Sequence, residues 1–303
     1  MRETTYSKTF SYRHLLARPS FYRFGFSIAN WIPTPVLYSI ADVLAEGTFV
    51  SGAETARSLC GNLRGAFPAM TERDISRLAR KIFRNYARYL VDYGRYRSMS
   101  KDVLQQIFSH FEGEANIEAA FQPDRGVILV TGHIGNWELG GQYFGHRGVK
   151  INVVTLPDEV PQIDDIREEY RKANNIRTIV LDGSPFASLE MVAALRRGEL
   201  VAMLIDRWGG KDGVPTDFFG ETLYFPRGPF SLSRATGAVI LPAFVVREEG
   251  AYKAIAEAPF VVEGEDDTPY AHCLGEVLER VIRRYPDQWY NFVPIWDSQG
   301  GNG

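Results

Sequence analysis

Cysteine is scarce in this 303-residue chain, and so are long hydrophobic runs and a net charge of either sign. With only Cys60 and Cys273, the sequence excludes a disulfide framework and a metal site built from paired cysteines. The formal net charge of −3 argues against a nucleic-acid partner recognised through overall positive charge. Hydrophobic residues at 45% and charged residues at 23% are ordinary globular values. We therefore expect a core-forming protein in a reducing, cytoplasmic-side location.

The small net charge conceals an uneven distribution along the chain. Residues 1–100 contain 15 Lys and Arg against 7 Asp and Glu, a balance of +8, so the remaining 203 residues carry −11. The basic part of the chain also contains its least polar stretch, which runs from Phe21 to Val50. These two features raise the question of membrane contact.

The stretch from Phe21 to Val50 is too often interrupted to predict a transmembrane helix. A bilayer span needs about 20 consecutive apolar residues, and this stretch is broken at Arg23, Asn30, Pro33, Pro35, Asp42 and Glu46. The first 20 residues also lack the apolar centre of a secretory signal. Two interpretations remain open: aromatic and apolar side chains that lie in a membrane surface, or a helical hairpin that covers the protein's own core.

Residues 71–97 predict an amphipathic helix with a cationic face. Thr71 is a suitable N-cap, and no Gly or Pro interrupts the segment before Gly94. At about 100° per residue, one face gathers Arg73, Arg77, Arg80, Lys81, Arg84, Arg88 and Arg95. This cationic face is either an ordinary solvated surface or a surface attracted to anionic lipid headgroups or to a phosphorylated substrate.

After Ser100 the sequence alternates between strand and helix patterns. Five short β-branched runs, bounded by turn residues, predict strands at 126–130, 151–156, 176–181, 200–205 and 239–246. A helix is predicted from Ser184 as N-cap and Pro185 at the first position to a stop at Gly198. We therefore expect an α/β fold with a largely parallel or mixed sheet flanked by helices. An N-terminal helical layer over 1–100 would pack as one unit with an α/β domain over 101–303.

The first predicted strand leads into a candidate catalytic turn, TGHIGNWELGG at 131–141. Chemistry in such sheets collects where strands end. His133 stands just past the strand, Asn136 can cap a helix, and Glu138 falls in its first turn. We interpret His133 as a general base and Glu138 as the acid that orients it through Nδ1.

The histidine is not accompanied by a recognisable protein nucleophile. There is no G-x-S-x-G motif, and neither cysteine follows a predicted strand beside a histidine. The five histidines show no close pairing of metal ligands. A base without a protein nucleophile suggests direct attack by a substrate hydroxyl, with no metal required.

Four blocks of the sequence resemble the lipid A late acyltransferases, within the glycerophosphate and lysophospholipid acyltransferase superfamily and its His-x4-acid motif. The blocks are HIGNWE at 133–138, IDRWGGKDGVPTDFFG at 205–220, FPRGPFSLSRATGAVILPAFVVR at 225–247 and RRYPDQWYNF at 283–292. They occur in the family's order, and the resemblance extends over about residues 20–296. The last three blocks are similar to the family's strand-end aspartate, its Gly-Pro helix and its closing Tyr-Pro-x-Gln-aromatic segment.

This resemblance implies transfer of a fatty acyl chain from acyl carrier protein or coenzyme A, without another cofactor, to a hydroxyl of a lipid or glycolipid. It implies a peripheral or monotopic enzyme at the cytoplasmic face of the inner membrane, with an anionic membrane surface as partner and no role for nucleic acid. His133 and Glu138 would be catalytic. The residues expected to bind substrate are Arg171, Arg167, Asp206, Arg207, Asn136, Arg227 and Gly228.

Several roles within this set have alternatives. Arg171 and Arg167 would hold a phosphate or the oxyanion, or would be surface arginines. Asp206 would organise the pocket, or would form a structural ion pair with Arg207. We expect Arg227 and Gly228 to form an anion site at a helix N-terminus, and backbone N–H groups near Gly135 to hold the oxyanion.

Two other functional classes also fit. A hydrolase would use His133 and Glu138 to activate water, and a non-catalytic lipid-binding protein would need only the basic helix and an apolar pocket. The low pI and the interrupted apolar stretch depart from the family, so the acceptor could be lipid A, another glycolipid, a lysophospholipid or a secondary metabolite.

Overall fold

The computed structural model describes residues 31–52, 54–95, 101–157, 165, 167–169, 171–172, 174–207 and 213–296. Of the apolar stretch from Phe21 to Val50 that raised the question of membrane contact, residues 21–30 lie outside the described residues. In the described part of the chain, no helix combines the length and hydrophobicity needed to cross a bilayer. The described helices are α1 Thr34–Val50, α2 Glu54–Ala66, α3 Glu72–Arg95, α4 Lys101–Ile107, α5 Glu114–Ala120, α6 Trp137–His146, α7 Pro185–Arg196, α8 Gly228–Thr236 and α9 Thr268–Arg284.

The centre of the protein is a seven-stranded mixed sheet. Its strands lie in the order β1-β9-β8-β2-β5-β3-β4, and every neighbouring pair is parallel except β8 with β9. A separate antiparallel hairpin is formed by β6 and β7. The strand bounds are β1 Phe108–Glu112, β2 Val127–Thr131, β3 Ile151–Thr155, β4 Ile176–Val180, β5 Leu200–Leu204, β6 Val214–Phe218, β7 Glu221–Phe225, β8 Val239–Glu248 and β9 Ala251–Ala256. The predicted α/β fold is confirmed.

Helices cover both faces of the sheet, and alternate residues of β2 show why. Val127 and Leu129 pack with α6 and α5, whereas Ile128 and Val130 pack with α7, α8 and α9. Because successive side chains of a strand point to opposite faces, a strand covered on both faces is apolar at nearly every position. The run GVILV has this composition, which is why it could be recognised from the sequence.

The basic helix predicted over 71–97 is α3. Asp74 N donates to Thr71 Oγ1 at 3.2 Å, which confirms Thr71 as the N-cap. Its apolar face is buried, with Ile75 and Ile82 almost completely inaccessible. The cationic face is not simply solvated, because α1 lies along part of it and supplies carboxylates.

Three arginines of α3 are paired with two acids of α1. Arg88 binds Asp42 with both Nε at 2.8 Å and Nη2 at 2.5 Å, while Arg80 and Arg84 both bind Glu46. Each of these acids interrupts the apolar stretch in the sequence, and each neutralises part of the cationic face. The charge that α3 can offer to an anionic surface is therefore smaller than its sequence indicates.

Strands β1, β6, β7 and β9 were not predicted. The segment Phe108–Glu112 reads FSHFE and has few β-branched residues, so it resembles a loop. It becomes a strand because its backbone pairs in parallel with β9. Pairing between distant segments therefore overrides a weak local preference.

Asn62 of α2 joins the N-terminal helices to the C-terminal segment. Its side chain is buried and donates to the carbonyl oxygens of Asn291 at 2.8 Å and Val293 at 2.7 Å. Its Oδ1 accepts from the backbone N–H of Ile295 at 3.1 Å. One amide side chain thus satisfies three backbone groups that have no strand or helix partner of their own.

Replacing Asn62 with Ala should lower the free energy of unfolding by about 2–4 kcal/mol, because three buried backbone groups lose their partner. Chemical denaturation of the purified protein measures the change. The exposed Gln122, which donates only to Glu118 O in its own helix turn, is the control. Gln122→Ala should change stability by less than about 0.5 kcal/mol, and a similar small change for Asn62→Ala would contradict the proposed tie.

Candidate active site

The sheet brings His133 and Asp206 together because their strands are neighbours in register. Strand β2 pairs in parallel with β5, and Thr131 lies opposite Leu204. His133 and Asp206 each follow two residues later in the chain. Their side chains therefore leave adjacent strands at the same edge of the sheet, where the strands end.

Asp206 holds His133 through two hydrogen bonds. His133 Nδ1 lies 2.6 Å from Asp206 Oδ1, and the His133 backbone N–H donates to Asp206 Oδ2 at 2.9 Å. Trp289 Nε1 also donates to Oδ2 at 3.2 Å, and Asp206 is completely buried. With Nδ1 occupied, the Nε2 atom of His133 is the nitrogen left for chemistry, and the imidazole side chain is 18% exposed.

The orienting acid was therefore wrongly predicted. We expected Glu138 at Nδ1, but that position is held by Asp206, and the Glu138 carboxylate pairs with Arg171 at 2.6 Å. Glu138 lies in the first turn of α6, and both its carboxylate and the guanidinium are only 7% exposed. The helix turns Glu138 towards Arg171 rather than back to the histidine four residues before its start.

The turn after His133 is held tightly by the neighbouring chain. The N–H of Gly135 donates to Gln288 O at 2.9 Å, and that of Asn136 donates to Val245 O at 2.7 Å. Gly135 has φ of +63°, and a Cβ there would lie 2.0 Å from Val245 O, so only glycine fits. These two N–H groups are occupied, which contradicts the prediction that N–H groups near Gly135 hold an oxyanion.

Asn136 caps α6 as predicted. Its Oδ1 accepts from Leu139 N at 3.1 Å, and its Nδ2 donates to the hydroxyl of Tyr252 at 3.2 Å. That hydroxyl in turn donates to Asp92 of α3 at 2.5 Å. The buried Asn136 therefore fixes the start of α6, and both side-chain atoms that would bind a substrate already have partners in the protein.

Arg207 does not form the alternative ion pair with Asp206. Its Nε donates to Asn291 Oδ1 at 2.9 Å and its Nη2 to Tyr290 O at 2.7 Å. The same segment returns a hydrogen bond to the site, because Tyr290 N donates to His133 O at 2.7 Å. Arg207 therefore binds the closing segment of the chain beneath the histidine.

The charges around the pair set its protonation. Burial and the nearby positive charge of Arg207 lower the pKa of His133 below its ordinary value, outweighing the opposite effect of Asp206, and Arg167 adds a smaller lowering. Burial alone would raise the pKa of Asp206, but His133 and Arg207 bring it down to about 2. At neutral pH the arrangement is therefore a neutral imidazole hydrogen-bonded to a carboxylate, which is the state of a general base.

Of the remaining residues predicted to bind substrate, Arg167 lies near His133, whereas Arg227 and Gly228 lie at the start of α8. Arg167 is half-buried and close enough for its charge to act on both His133 and Arg171. Arg227 and Gly228 lie at the start of α8, where Arg227 Nη1 pairs with the buried Asp267 at 2.6 Å. That partner leaves less positive charge for an anion at this helix end than the sequence suggested.

An apolar cavity of about 70 Å³ lies between α6 and the sheet, beneath the catalytic turn. Thr131 and Glu138 lie at its polar end. Its walls are apolar and extend to the amino ends of β3 and β5, with Leu129, Phe144, Ile151, Val153, Leu200 and Ala202 among the lining side chains. The cavity therefore offers space for hydrocarbon next to Thr131 and Trp137, which flank the turn that carries the histidine.

Sequence reasoning missed the role of the closing segment at 288–291. Its resemblance block was noted, but no function was assigned to Trp289 or Asn291. Trp289 is completely buried and donates to Asp206, and Asn291 Nδ2 donates to Asp206 O at 3.3 Å. The available signal was a cluster of polar and aromatic residues without the periodicity of a helix or a strand.

In the described residues, no group of three or more His, Cys, Asp or Glu side chains is placed to hold a metal ion. The site that the fold assembles is a buried histidine and carboxylate at the ends of adjacent strands, next to an apolar cavity.

This combination is a buried histidine–carboxylate pair in an α/β fold that also contains an apolar cavity. A family model described as "Bacterial lipid A biosynthesis acyltransferase" matches residues 6–298. The chain belongs to this family and is an acyltransferase. The recognition made from the four sequence blocks is confirmed.

Curated relatives carry acyltransferase names as well. A phosphatidylinositol mannoside acyltransferase of Mycolicibacterium smegmatis is 23% identical over 271 residues, which is 85% of this chain and 87% of the relative. The lipid A biosynthesis lauroyltransferase of Escherichia coli is 26% identical over 264 residues, 85% of this chain and 84% of the relative. The palmitoleoyltransferase of the same organism is 24% identical over 232 residues, 75% and 74% of the two chains.

The lowered pKa of His133 can be tested without activity, by NMR titration of the protein labelled in histidine. We expect His133 to titrate below 6.5, the ordinary value for histidine. Arg207→Gln should raise this pKa, because it removes a positive charge that disfavours the imidazolium. Arg207→Lys keeps the charge and should raise it less. Equal values in the two variants would show that the charge of Arg207 does not act on His133.

Proposed function

We propose that this protein moves a fatty acyl chain from an acyl thioester to a hydroxyl group of a lipid or glycolipid, with His133 as general base. The observation that supports it most directly is the buried His133–Asp206 pair at the ends of adjacent strands. An apolar cavity is lined by Thr131, Trp137 and Glu138, which lie on either side of His133 in sequence. Membership of the acyltransferase family gives the reaction class. The side chains supply a base but no described nucleophile, which favours direct transfer.

In the proposed reaction, His133 Nε2 takes the proton of the acceptor hydroxyl while its oxygen attacks the thioester carbonyl. The carbon–sulfur bond then breaks, and the leaving thiolate takes that proton from the imidazolium. The products are the ester and a free thiol. Asp206 holds the imidazole by Nδ1 and stabilises its positive charge, which appears only during the reaction.

Glu138 has a different task in this scheme from the one its spacing suggested. With Arg171 it forms a buried ion pair at the polar end of the apolar cavity. The pair separates the reacting groups from the hydrocarbon walls and fixes the first turn of α6. Arg167 is the proposed contact for the developing oxyanion or for a phosphate, since its charge already acts on His133.

Part of the acyl chain is proposed to enter the apolar cavity between α6 and the sheet, whose volume of about 70 Å³ is too small for a whole fatty acyl chain. Burying each CH₂ group there contributes roughly 0.8 kcal/mol to binding, so a cavity of this composition favours hydrocarbon over any polar group. The donor is proposed to be acyl carrier protein or coenzyme A. The relatives named for lipid A and for phosphatidylinositol mannosides point to a glycolipid acceptor, and a lipid A-like acceptor is our first choice.

His133→Ala and Asp206→Asn should each lower the rate of acyl transfer by roughly 10²- to 10⁴-fold. The first removes the base, and the second removes the charge that orients it. Radiolabelled transfer from acyl thioester to a glycolipid acceptor, with thermal melting alongside, measures the effect. Near-normal turnover by folded His133→Ala would refute the mechanism.

Glu138→Gln is the contrasting variant. It leaves the guanidinium of Arg171 buried without a charged partner, which costs roughly 3–5 kcal/mol of stability. Its main effect should therefore be on melting temperature rather than on a rate measured well below that temperature.

Incubating the wild-type protein with acyl donor and no acceptor distinguishes transfer from hydrolysis. Rapid release of free fatty acid would favour the hydrolase alternative.

We further propose that the enzyme works at the cytoplasmic face of the inner membrane, as a peripheral or monotopic protein. The outer face of α1 exposes Val36, Ile40, Val43 and Val50, which recur at helical spacing along one side. The acids on its other side are occupied by arginines of α3. An apolar stripe of this kind suits the boundary between headgroups and acyl chains.

Val43→Asp should weaken binding to vesicles that contain anionic lipid by at least fivefold, because it places a charge in the apolar stripe. Sedimentation with vesicles at low and high salt measures binding. Leu189→Asp, on α7, is a control of similar exposure, 63% against 72% for Val43. Binding that salt abolishes and Val43→Asp leaves intact would assign the contact to the arginines instead.

A further inference from the structure

A second cavity, larger and polar, lies on the other side of the catalytic turn. It has a volume of about 230 Å³, several times the roughly 30 Å³ that one water occupies in the liquid. Asn85, Tyr89 and Asp92 of α3 line it, together with Arg247, Tyr252 and Tyr290. Backbone of Gly135 and Asn136 completes the wall, so the turn that carries His133 separates this cavity from the acyl cavity.

The charges around the polar cavity are balanced. Arg88 is paired with Asp42, Arg247 Nη1 lies 3.8 Å from Asp92 Oδ2, and the other carboxylate of the wall, Asp287, is paired with Lys81 at 3.0 Å. Glu249 adds a third carboxylate to the lining. A free anion would therefore find no unmatched positive charge among these groups.

The wall nevertheless retains unused hydrogen-bonding capacity. Tyr290 is only 4% exposed, and its hydroxyl has no hydrogen-bond partner among the described residues although it lines the cavity. Asn85 donates through Nδ2 to Asp287, which leaves its Oδ1 as an acceptor. A hydroxyl and an amide oxygen without protein partners in the described part of the chain, both on residues that line a polar cavity, are available to a polar occupant.

We propose that this cavity binds an uncharged, hydroxyl-rich group, a sugar or polyol ring, and that in catalysis this ring belongs to the headgroup of the acceptor. Balanced charge disfavours a phosphate, and the polar wall disfavours hydrocarbon. Hydroxyl groups both donate and accept, which matches a wall containing Tyr290, Asn85 and the Asp92 network.

The position of the cavity suits an acceptor headgroup. Tyr89 lines it, and the Tyr89 ring stacks on Trp137 with centroids 5.0 Å apart. The Trp137 ring in turn packs edge-to-face against the His133 ring, with centroids 5.5 Å apart. A ring seated in the cavity is thus separated from the base by two aromatic side chains, within reach for a headgroup of more than one ring. This catalytic part of the inference rests on the proposed function, whereas binding of the ring does not.

Saturation-transfer NMR with the full chain tests binding directly, using methyl α-glucoside, myo-inositol and glycerol as probes and inorganic phosphate as competitor. We expect signals from the two ring compounds that phosphate does not displace. Tyr290→Phe should weaken their binding about fivefold, the loss of one hydrogen bond of about 1 kcal/mol. The matched control is Tyr285→Phe, whose hydroxyl donates to Glu248 instead, and it should bind like wild type.

Three results would each overturn the proposal and leave water as the occupant of the cavity. They are the absence of signals from the ring compounds, their displacement by phosphate, and equal binding by Tyr290→Phe and wild type. The catalytic part is read from kinetics, where Tyr290→Phe should raise the acceptor KM about fivefold and leave the donor KM unchanged. If wild-type protein binds the rings but transfers no acyl group, the proposed function fails and the binding site stands. If it transfers normally without binding them, only this inference fails.

Discussion

The buried carboxylate of Asp206 is the group on which the active site depends. It carries negative charge in a completely inaccessible position, which would be costly without compensation. Its oxygens accept from the His133 backbone, the His133 ring and the Trp289 indole. These donors belong to two residues, His133 and Trp289, that are far from each other and from Asp206 in the sequence. The requirement to satisfy one charge therefore brings two strand ends and the closing segment to one point.

The same arrangement explains why the site is both rigid and able to react. The turn at Gly135 is fixed by backbone hydrogen bonds to Gln288 and Val245, and α6 is fixed by the Asn136 cap. The imidazole is then the part of this cluster with a nitrogen still free. Its lowered pKa keeps that nitrogen unprotonated at neutral pH, while the carboxylate behind it makes the brief positive charge tolerable.

The parts of this structure that could be predicted are those that local pattern determines. The strands found in advance are short runs rich in β-branched residues, and the helix from Pro185 has its N-cap, Ser184, in sequence. The partner of His133 could not be obtained in this way, because Glu138 is five residues away and Asp206 is 73. Only the pairing of β2 with β5 decides between them, and strand order is not encoded in any local pattern. The undetected β1 and β9 illustrate the same limit.

The involvement of Trp289 also has a consequence for how the enzyme is made. Asp206 and Trp289 are 83 residues apart in the sequence, and the hydrogen-bonded pair Asn62 and Asn291 is 229 residues apart. During synthesis, β2 and β5 leave the ribosome well before the segment that completes the carboxylate's hydrogen bonds. Until Trp289 emerges, water must supply the hydrogen bond that the indole makes to Asp206 in the folded protein. Burial of this carboxylate with all its partners is therefore possible only after the closing segment has been synthesised.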